Sequence, residues 1–217
     1  MATTIETPTA TNEAPATTVP QFLEVKNKFG GKEKVFPSLI PLNLPHDIEL
    51  LYWLSYAIEG EPSRLPYINI GPEWVSATDG RRMHQVRRDT FQVPLDTFEG
   101  HECGGNAVMT ERKKNSVVLM PAERAAAPTY EQVIPKTGLK RTIEPTLSYP
   151  STLAKIIRAM PKDEAINPNF VLDALGRFTE WREADQLFKR VKLFGEGSPV
   201  MFDGENRRAI IMPIRIH

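Results

Sequence analysis

Short runs of apolar and β-branched residues recur along most of the chain, and three other stretches repeat apolar residues at helical spacing. The first pattern is typical of strands and the second of helices with a buried face. The clearest pair of strands lies at 74–86, where Asp79 and Gly80 separate two such runs. Asp tolerates positive φ and Gly adopts it freely, so this dipeptide predicts a hairpin with a two-residue type I′ loop.

The first helical stretch is 45–58. Pro45 suits a first helical turn, Asp47 lies near the positive end of the helix dipole, and Gly60 stands just past the end. The residues of the apolar face are Leu50, Leu51, Leu54, Ala57 and Ile58, widened by Tyr52, Trp53 and Tyr56. The pattern therefore predicts a helix with a broad buried face.

Two further helices are predicted in the second half of the chain. Residues 151–160 form a short amphipathic stretch. Asn167 is a good N-cap for the next helix, and Pro168 is a good first helical residue. The apolar face of this helix is Phe170, Val171, Ala174, Leu175 and Phe178. Gly176 is expected to weaken it by up to about 1 kcal/mol relative to Ala.

The remaining apolar runs predict strands. Lys26 to Lys34 read as a basic loop, and Pro213 marks an edge or an exit from the sheet because proline lacks a backbone donor. The predicted strand segments are 22–25, 35–40, 64–70, 107–111, 116–120, 140–149, 191–194, 198–202 and 208–216. Many short strands and few helices predict an α+β fold with antiparallel sheets.

Composition limits where the protein works and what attracts it. The chain has 217 residues, 41% hydrophobic, and its 27 Lys plus Arg balance its 27 Asp plus Glu. No overall field therefore draws it to nucleic acid, a membrane or acidic partners. Residues 1–21 are mostly Thr, Ala, Pro and Glu and predict a disordered tail. The single cysteine, Cys103, and the absence of an apolar run of about 18 residues favour a cytoplasmic protein.

The sequence gives little support for an enzyme. The four histidines are scattered, and no metal-ligand spacing or Gly-rich phosphate loop is present. Cys103 lies in a Gly-rich stretch with only His101 nearby as an activating group. We therefore expect no catalysis, cofactor or metal.

Three segments match one known family in the same order. Residues 77–83 read Ala-Thr-Asp-Gly-Arg-Arg-Met, 127–136 read Ala-Pro-Thr-Tyr-Glu-Gln-Val-Ile-Pro-Lys, and 210–216 read Ile-Ile-Met-Pro-Ile-Arg-Ile. They resemble a turn in the middle domain, the connector between the middle and last domains, and the C-terminus of bacterial sliding clamps, the β subunits of the replicative DNA polymerase. Residues 169–175 are similar to a helix in the last clamp domain. By itself, the second segment predicts an extended connector, because residues before proline avoid helical φ and ψ.

The resemblance implies clamp-like βαβββ units. Residues 22–136 would resemble the middle clamp domain and 137–217 the last. In the family, the three segments converge on an apolar cleft that takes short linear peptides of polymerases, the clamp loader and repair proteins. Carried over, the cleft residues are Thr78, Arg81, Arg82, Met83, Pro128, Gln132, Val133, Ile210, Met212, Pro213 and Ile214.

The chain also departs from the family. Gln132 replaces the family's Arg and Arg81 its His, which would alter peptide preference. A bacterial clamp subunit has three domains of two units each, and this chain has room for fewer. The helices that line a clamp's hole are expected to be basic, yet 45–58 has no Lys or Arg. The residues assigned to DNA contact are Arg64 and Arg177.

Two functions follow from the resemblance. The first is a reduced, phage- or mobile-element-encoded processivity factor or docking platform. It would be a homo-oligomer that binds double-stranded DNA non-specifically if it closes a ring. The second is a clamp-like interaction protein without a ring, which sequesters the clamp-binding peptides of polymerase or repair proteins.

Overall fold

The fold is α+β, with antiparallel sheets and few helices, as the sequence predicts. The predicted tail at 1–21 and Cys103 lie outside the described residues. The computed structural model describes residues 23–26, 32–35, 40–42, 44–58, 68–93, 95, 106–113, 116–121, 130–135, 137–146, 149–176 and 188–216.

A ten-stranded antiparallel sheet forms the centre of the molecule. Its strands in chain order are β3 (Ile40–Leu42), β4 (Ile68–Ile70), β5 (Trp74–Thr78), β6 (Arg82–Arg87), β7 (Asn106–Lys113), β8 (Ser116–Pro121), β9 (Arg141–Ile143), β11 (Arg190–Leu193), β12 (Val200–Asp203) and β13 (Arg207–Ile211). Their order across the sheet is β3-β8-β7-β4-β5-β6-β13-β12-β11-β9. Two small antiparallel sheets pair β1 (Leu23–Lys26) with β2 (Lys32–Val35), and β10 (Glu164–Ala165) with β14 (Ile214–Arg215).

Four α-helices accompany these strands in the described part of the chain. They are α1 (Pro45–Ser55), continued by a 3₁₀ turn at Tyr56–Ile58, α2 (Tyr130–Val133), α3 (Tyr149–Ala159) and α4 (Pro168–Leu175). A further 3₁₀ turn spans Arg88–Thr90.

The middle of the sheet repeats one arrangement about the β6–β13 pair. Helix α1 precedes β4, β5 and β6, and α4 precedes β11, β12 and β13. The last strands of the two triplets meet, which gives the order β4-β5-β6-β13-β12-β11. The predicted order of one helix followed by three strands thus occurs twice. The sheet runs through both 22–136 and 137–217, whose division into two domains stays a prediction.

The hydrophobic core lies between one face of the sheet and the helices. Helix α1 contacts β5 and β6, α4 contacts β13, and α3 contacts α4 and β9. Core side chains that are at most 1% exposed include Leu50, Leu54, Val86, Phe202 and Ile211. Burying each such side chain contributes about 2 kcal/mol to the stability. We call this the helix side of the sheet and the opposite face the outer face.

Local sequence signals correctly gave the start of α4. The Asn167 side chain accepts a hydrogen bond from Asn169 N (2.9 Å), and Pro168 is the first helical residue, as predicted. The role assigned to Gly176 is wrong. The helix ends at Leu175, and Gly176 follows it with φ 86°, where a residue without Cβ ends a helix readily instead of weakening its interior.

The hairpin at 74–86 forms, but its predicted two-residue turn is wrong. Thr78 pairs with Met83, so four residues separate the paired positions. Among the described residues, positive φ occurs only at glycines, including Gly80 at 87°. Asp79 instead uses its carboxylate, which accepts hydrogen bonds from Arg81 N (2.8 Å) and Arg82 N (3.0 Å). The side chain of Asp79, together with positive φ at Gly80 alone, closes the turn.

Three strand and loop predictions also change. Lys32–Val35 is a strand, not part of a basic loop, and within the described part of the predicted strand at 140–149 only Arg141–Ile143 form a strand. The predicted extended connector contains one helical turn at Tyr130–Val133. The terminal strand breaks before Ile214, whose strand joins a different sheet, so the predicted exit at Pro213 is confirmed.

Candidate functional site

A row of side chains crosses the outer face of the sheet at the level of the 79–82 turn. Residues paired across antiparallel strands lie on the same face. Thr78 pairs with Met83, Met83 with Ile210, and Ile210 with Met201. Met83, Ile210 and Met201 are 3%, 1% and 5% exposed and form an apolar cluster separate from the core. We call this the outer cluster.

The connector covers part of the outer cluster. Val133 and Ile134 are partly buried against it, and Phe194, just after β11, packs on it too. Of the three segments matched by sequence, the hairpin supplies Met83, the connector Val133, and the last strand Ile210. The fold therefore brings all three segments together at one place.

More exposed predicted residues border this cluster. Met212 N donates to the carbonyl oxygen of Arg81 (2.8 Å), which ties the C-terminal segment to the hairpin turn. Arg81 and Gln132 are exposed, and Met212 and Pro213 are partly exposed. Ile214, which is 53% exposed, lies instead in the small β10–β14 sheet and pairs with Ala165. The arrangement has a buried apolar floor with more polar and exposed residues at its border.

The polar side-chain groups of Thr78 and Arg82 form hydrogen bonds and ion pairs within the fold. The Thr78 hydroxyl donates to Arg82 O (2.6 Å) and accepts from Gly80 N (3.0 Å). The Arg82 guanidinium is 2% exposed and pairs with Asp79 (3.1 Å) and with Asp173 on α4. Its carbon Cζ lies 4.2 Å from the centre of the Phe170 ring. Arg82 thus fixes the hairpin to α4 on the helix side, next to the outer cluster but behind it.

Pro128, Arg64 and Arg177, the other residues assigned from the sequence, lie outside the described residues.

The outer cluster includes residues that sequence reasoning missed. Met201 belongs to its floor, and Ile134 and Phe194 cover it. Because side chains alternate along a strand, Met201 would have been predicted on the face of the sheet opposite to that of its neighbour Phe202, a core residue. What the sequence did not reveal is that β12 lies two strands from β6.

His84 is the next residue after Met83, and its side chain lies on the helix side of the sheet. Its ring stacks on Trp53, with ring centroids 4.3 Å apart, and Nδ1 lies 2.7 Å from Trp53 O. Because a carbonyl oxygen only accepts, Nδ1 carries the proton and donates. Burial lowers the pKa of His84 from 6.5 to about 3, and the neighbouring Arg82 charge acts in the same direction. His84 is therefore a neutral core residue at pH 7.

The described residues contain no group of three or more metal-ligating side chains close enough to hold an ion. None of the described helices is both long and apolar enough to cross a membrane.

Comparisons with known proteins point to one group of structures. No protein-family model and no curated protein matches the sequence. Among solved structures, the fold is similar to bacterial sliding clamps. The DNA polymerase III subunit beta of Pseudomonas aeruginosa is 13% identical with a TM-score of 0.47, over 93% of this chain and 70% of that one.

Two further clamps give comparable figures. The beta subunit of Thermotoga maritima is 11% identical with a TM-score of 0.47, over 94% of this chain and 70% of that one. The sliding clamp of Bartonella birtlesii is 14% identical with a TM-score of 0.48, over 83% of this chain and 67% of that one. The chain thus spans about two thirds of the length of the clamps it matches.

Proposed function

We propose that this protein is a sliding-clamp-like docking platform that binds a short linear peptide over the outer cluster. The observation that carries the proposal is the convergence of Met83, Val133 and Ile210 from three distant segments on one apolar cluster outside the core. These are the segments whose sequences resemble the peptide-binding parts of sliding clamps. A second apolar cluster, with exposed apolar residues at its border, is a feature that interaction sites share.

The chemistry of the border indicates what the peptide carries. Methionine and branched side chains form an adaptable apolar surface, which suits one or two large apolar side chains of an extended peptide. Ile214 and Ile216 are 53% and 58% exposed past the break at Pro213, where Ile214 pairs with Ala165 and Ile216 N donates to Asp163 O. The exposed guanidinium of Arg81 supports a peptide that carries an acidic side chain or a C-terminal carboxylate there. The partners would be peptides of DNA polymerases or repair proteins.

One observation favours the version of this function without a DNA-encircling ring. Helix α1 is buried on most sides, and its exposed residues are Pro45, His46 and Glu49. A helix facing a DNA backbone needs cations, because phosphate contacts come mainly from Lys and Arg. Helix α1 offers none, so a protein that captures clamp-binding peptides without encircling DNA is the second candidate function.

Peptide docking is tested by fluorescence anisotropy with a labelled clamp-binding peptide. Ile214→Glu places a charge next to the proposed border and is expected to weaken binding at least tenfold, about 1.4 kcal/mol. Ile157→Glu is the matched control, because Ile157 is 56% exposed on α3, on the helix side. Failure of the unmodified protein to bind any clamp-binding peptide, or equal losses in both variants, would remove the proposal.

The ring is tested separately by light scattering of the purified protein with and without circular DNA. A closed oligomer that stays on circular DNA and leaves when the DNA is linearised supports a processivity factor. A monomer or dimer that ignores DNA but binds peptide supports the sequestering protein.

A further inference from the structure

A cavity of about 270 Å³ opens on the helix side of the sheet, where α3 ends. The C-terminal end of α3, the β11–β12 loop and the segment before β9 surround it. Its principal lining residues are Lys140, Met160, Glu164, Leu193 and Val200. We call it the α3 pocket.

The α3 pocket and the outer cluster have different floors and meet at Phe194. Leu193 and Val200 pair across β11 and β12 and belong to the core on the helix side, at 6% and 2% exposed. Met201, the next residue along β12, points to the outer face. The floors of the two sites thus lie on opposite faces of the sheet, and Phe194, just past the end of β11, contacts both.

A buried carboxylate lines this pocket. Glu164 is 7% exposed, and Gly197 N donates a hydrogen bond to its Oε1. Within the described structure, that backbone N–H is the only hydrogen-bond partner of the Glu164 carboxylate. A carboxylate has about four acceptor positions, and a buried one is costly when most stay unfilled. Because Glu164 lines the cavity, its remaining acceptor positions are available to a donor that enters the cavity.

The end of α3 adds negative potential to the same space. Ala159 and Met160, at the C-terminal end of this 11-residue helix, line the pocket. The last carbonyl groups of a helix have no partners within it, and the helix dipole favours cations there. Lys140 does not fill this role, because it forms no ion pair with Glu164 and is exposed. Its stem instead lies across Gly195, where a Cβ would be 3.6 Å from Lys140 Cγ.

We propose that the α3 pocket binds an arginine side chain of a partner protein. The apolar floor suits the three methylene groups of the stem, and the guanidinium can donate to the Glu164 carboxylate and to the end of α3 at once. Arginine fits better than lysine because its planar group presents five donors and is more weakly hydrated. The cavity is slightly smaller than a typical ligand pocket, the size expected for one side chain.

The probe is N-acetyl-arginine amide, titrated into the full-length ¹⁵N-labelled protein and followed by two-dimensional NMR. Saturable shifts are expected at the amides of Met160, Gly195 and Gly197, with a dissociation constant of about millimolar order for a single side chain. N-acetyl-citrulline amide has nearly the same shape without the charge and is expected to bind at least tenfold more weakly.

Variants identify the groups responsible. Glu164→Gln keeps an oxygen that can accept from Gly197 N and is expected to weaken binding at least tenfold. Ala159→Leu fills the cavity without changing its charge and is also expected to abolish binding. Glu205→Gln is the control, since Glu205 is 74% exposed and is not part of the pocket lining, and it is expected to leave binding unchanged. Thermal melts establish that each variant is folded.

The proposal is overturned if arginine and citrulline amides bind equally, if Glu164→Gln binds like the parent protein, or if the shifts lie elsewhere. It is also overturned if N-acetyl-glutamate amide shifts the same three amides, because the pocket would then act through Lys140. Arg81→Glu changes the border of the outer cluster outside the β10–β14 sheet, and this variant is expected to bind the arginine probe normally. Failure of peptide docking and failure of this proposal are therefore distinguishable.

Discussion

Lowering the pH from 7.5 to 5.5 is expected to destabilise the fold through His84. The imidazole is fully buried, stacks on Trp53 and donates Nδ1–H to Trp53 O. Its Nε2 is buried without a hydrogen-bond partner within the described structure. A second proton on Nε2 would therefore place a charge in the core with no acceptor for the new N–H. The Arg82 guanidinium adds electrostatic repulsion.

The sign and size follow from linkage. The pKa of His84 is about 3 in the fold and 6.5 in the unfolded chain, so below pH 6.5 the unfolded state binds the extra proton. The contribution of His84 to the free energy of unfolding is fully present above pH 6.5. It is lost as the pH falls towards 3, at about 1.4 kcal/mol per pH unit. Between pH 7.5 and 5.5 the loss is about 1.4 kcal/mol. For a chain of this size, it lowers Tm by roughly 3 to 6 °C.

The assay is urea unfolding followed by circular dichroism at both pH values, with His84→Phe as the reference. Phenylalanine keeps an aromatic ring against Trp53 but cannot titrate. It is expected to have a lower stability at pH 7.5, because Trp53 O loses a donor, and to lack the His84 contribution to the pH dependence. Equal pH-dependent losses in the parent and the variant would refute the reasoning.

Two further predictions concern buried carboxylates. Arg82→Met removes the guanidinium that pairs with buried Asp173 and is expected to lower the free energy of unfolding by about 3 kcal/mol, measured in urea. Adding Asp173→Leu to Arg82→Met is expected to recover part of that loss, and additive effects of the two substitutions would contradict the coupling. Asp47→Ala removes the carboxylate that accepts hydrogen bonds from the backbone N–H groups of residues 92–93, both at 2.9 Å. It is expected to lower the stability by about 2 kcal/mol, measured by thermal melting, whereas Asp89→Ala, at an exposed carboxylate, is expected to change the stability little.

The local chemistry of the chain gave the positions of several elements. The proline at the first turn of α1 and the N-cap at Asn167 act within one helical turn, so the sequence carries the whole signal. The break at Pro213 is equally local, because proline removes a donor wherever it stands. Asp79 shows where local reasoning fails. The Asp-Gly pair allows two kinds of turn, and the carboxylate hydrogen bonds selected the longer one.

The candidate site depends on contacts between distant strands, which the sequence pattern does not determine. Met83 and Ile210 belong to one row because β6 pairs with β13, and local periodicity does not show which distant strands pair. For the same reason, the sequence did not show that Arg82 faces the helices. The run Arg82, Met83, His84 has no apolar alternation to fix which side is buried.

The sequence by itself determined the α+β class, the approximate positions of the helices and hairpins, and which segments resemble a sliding clamp. These depend on side-chain periodicity, capping and turn chemistry, which act over a few residues. Only the tertiary structure decided the order of the ten strands and the side of the sheet that each side chain occupies. Strand pairing joins distant residues, and a shift of one residue would move every side chain to the opposite face. The outer cluster and the α3 pocket both arise from that choice.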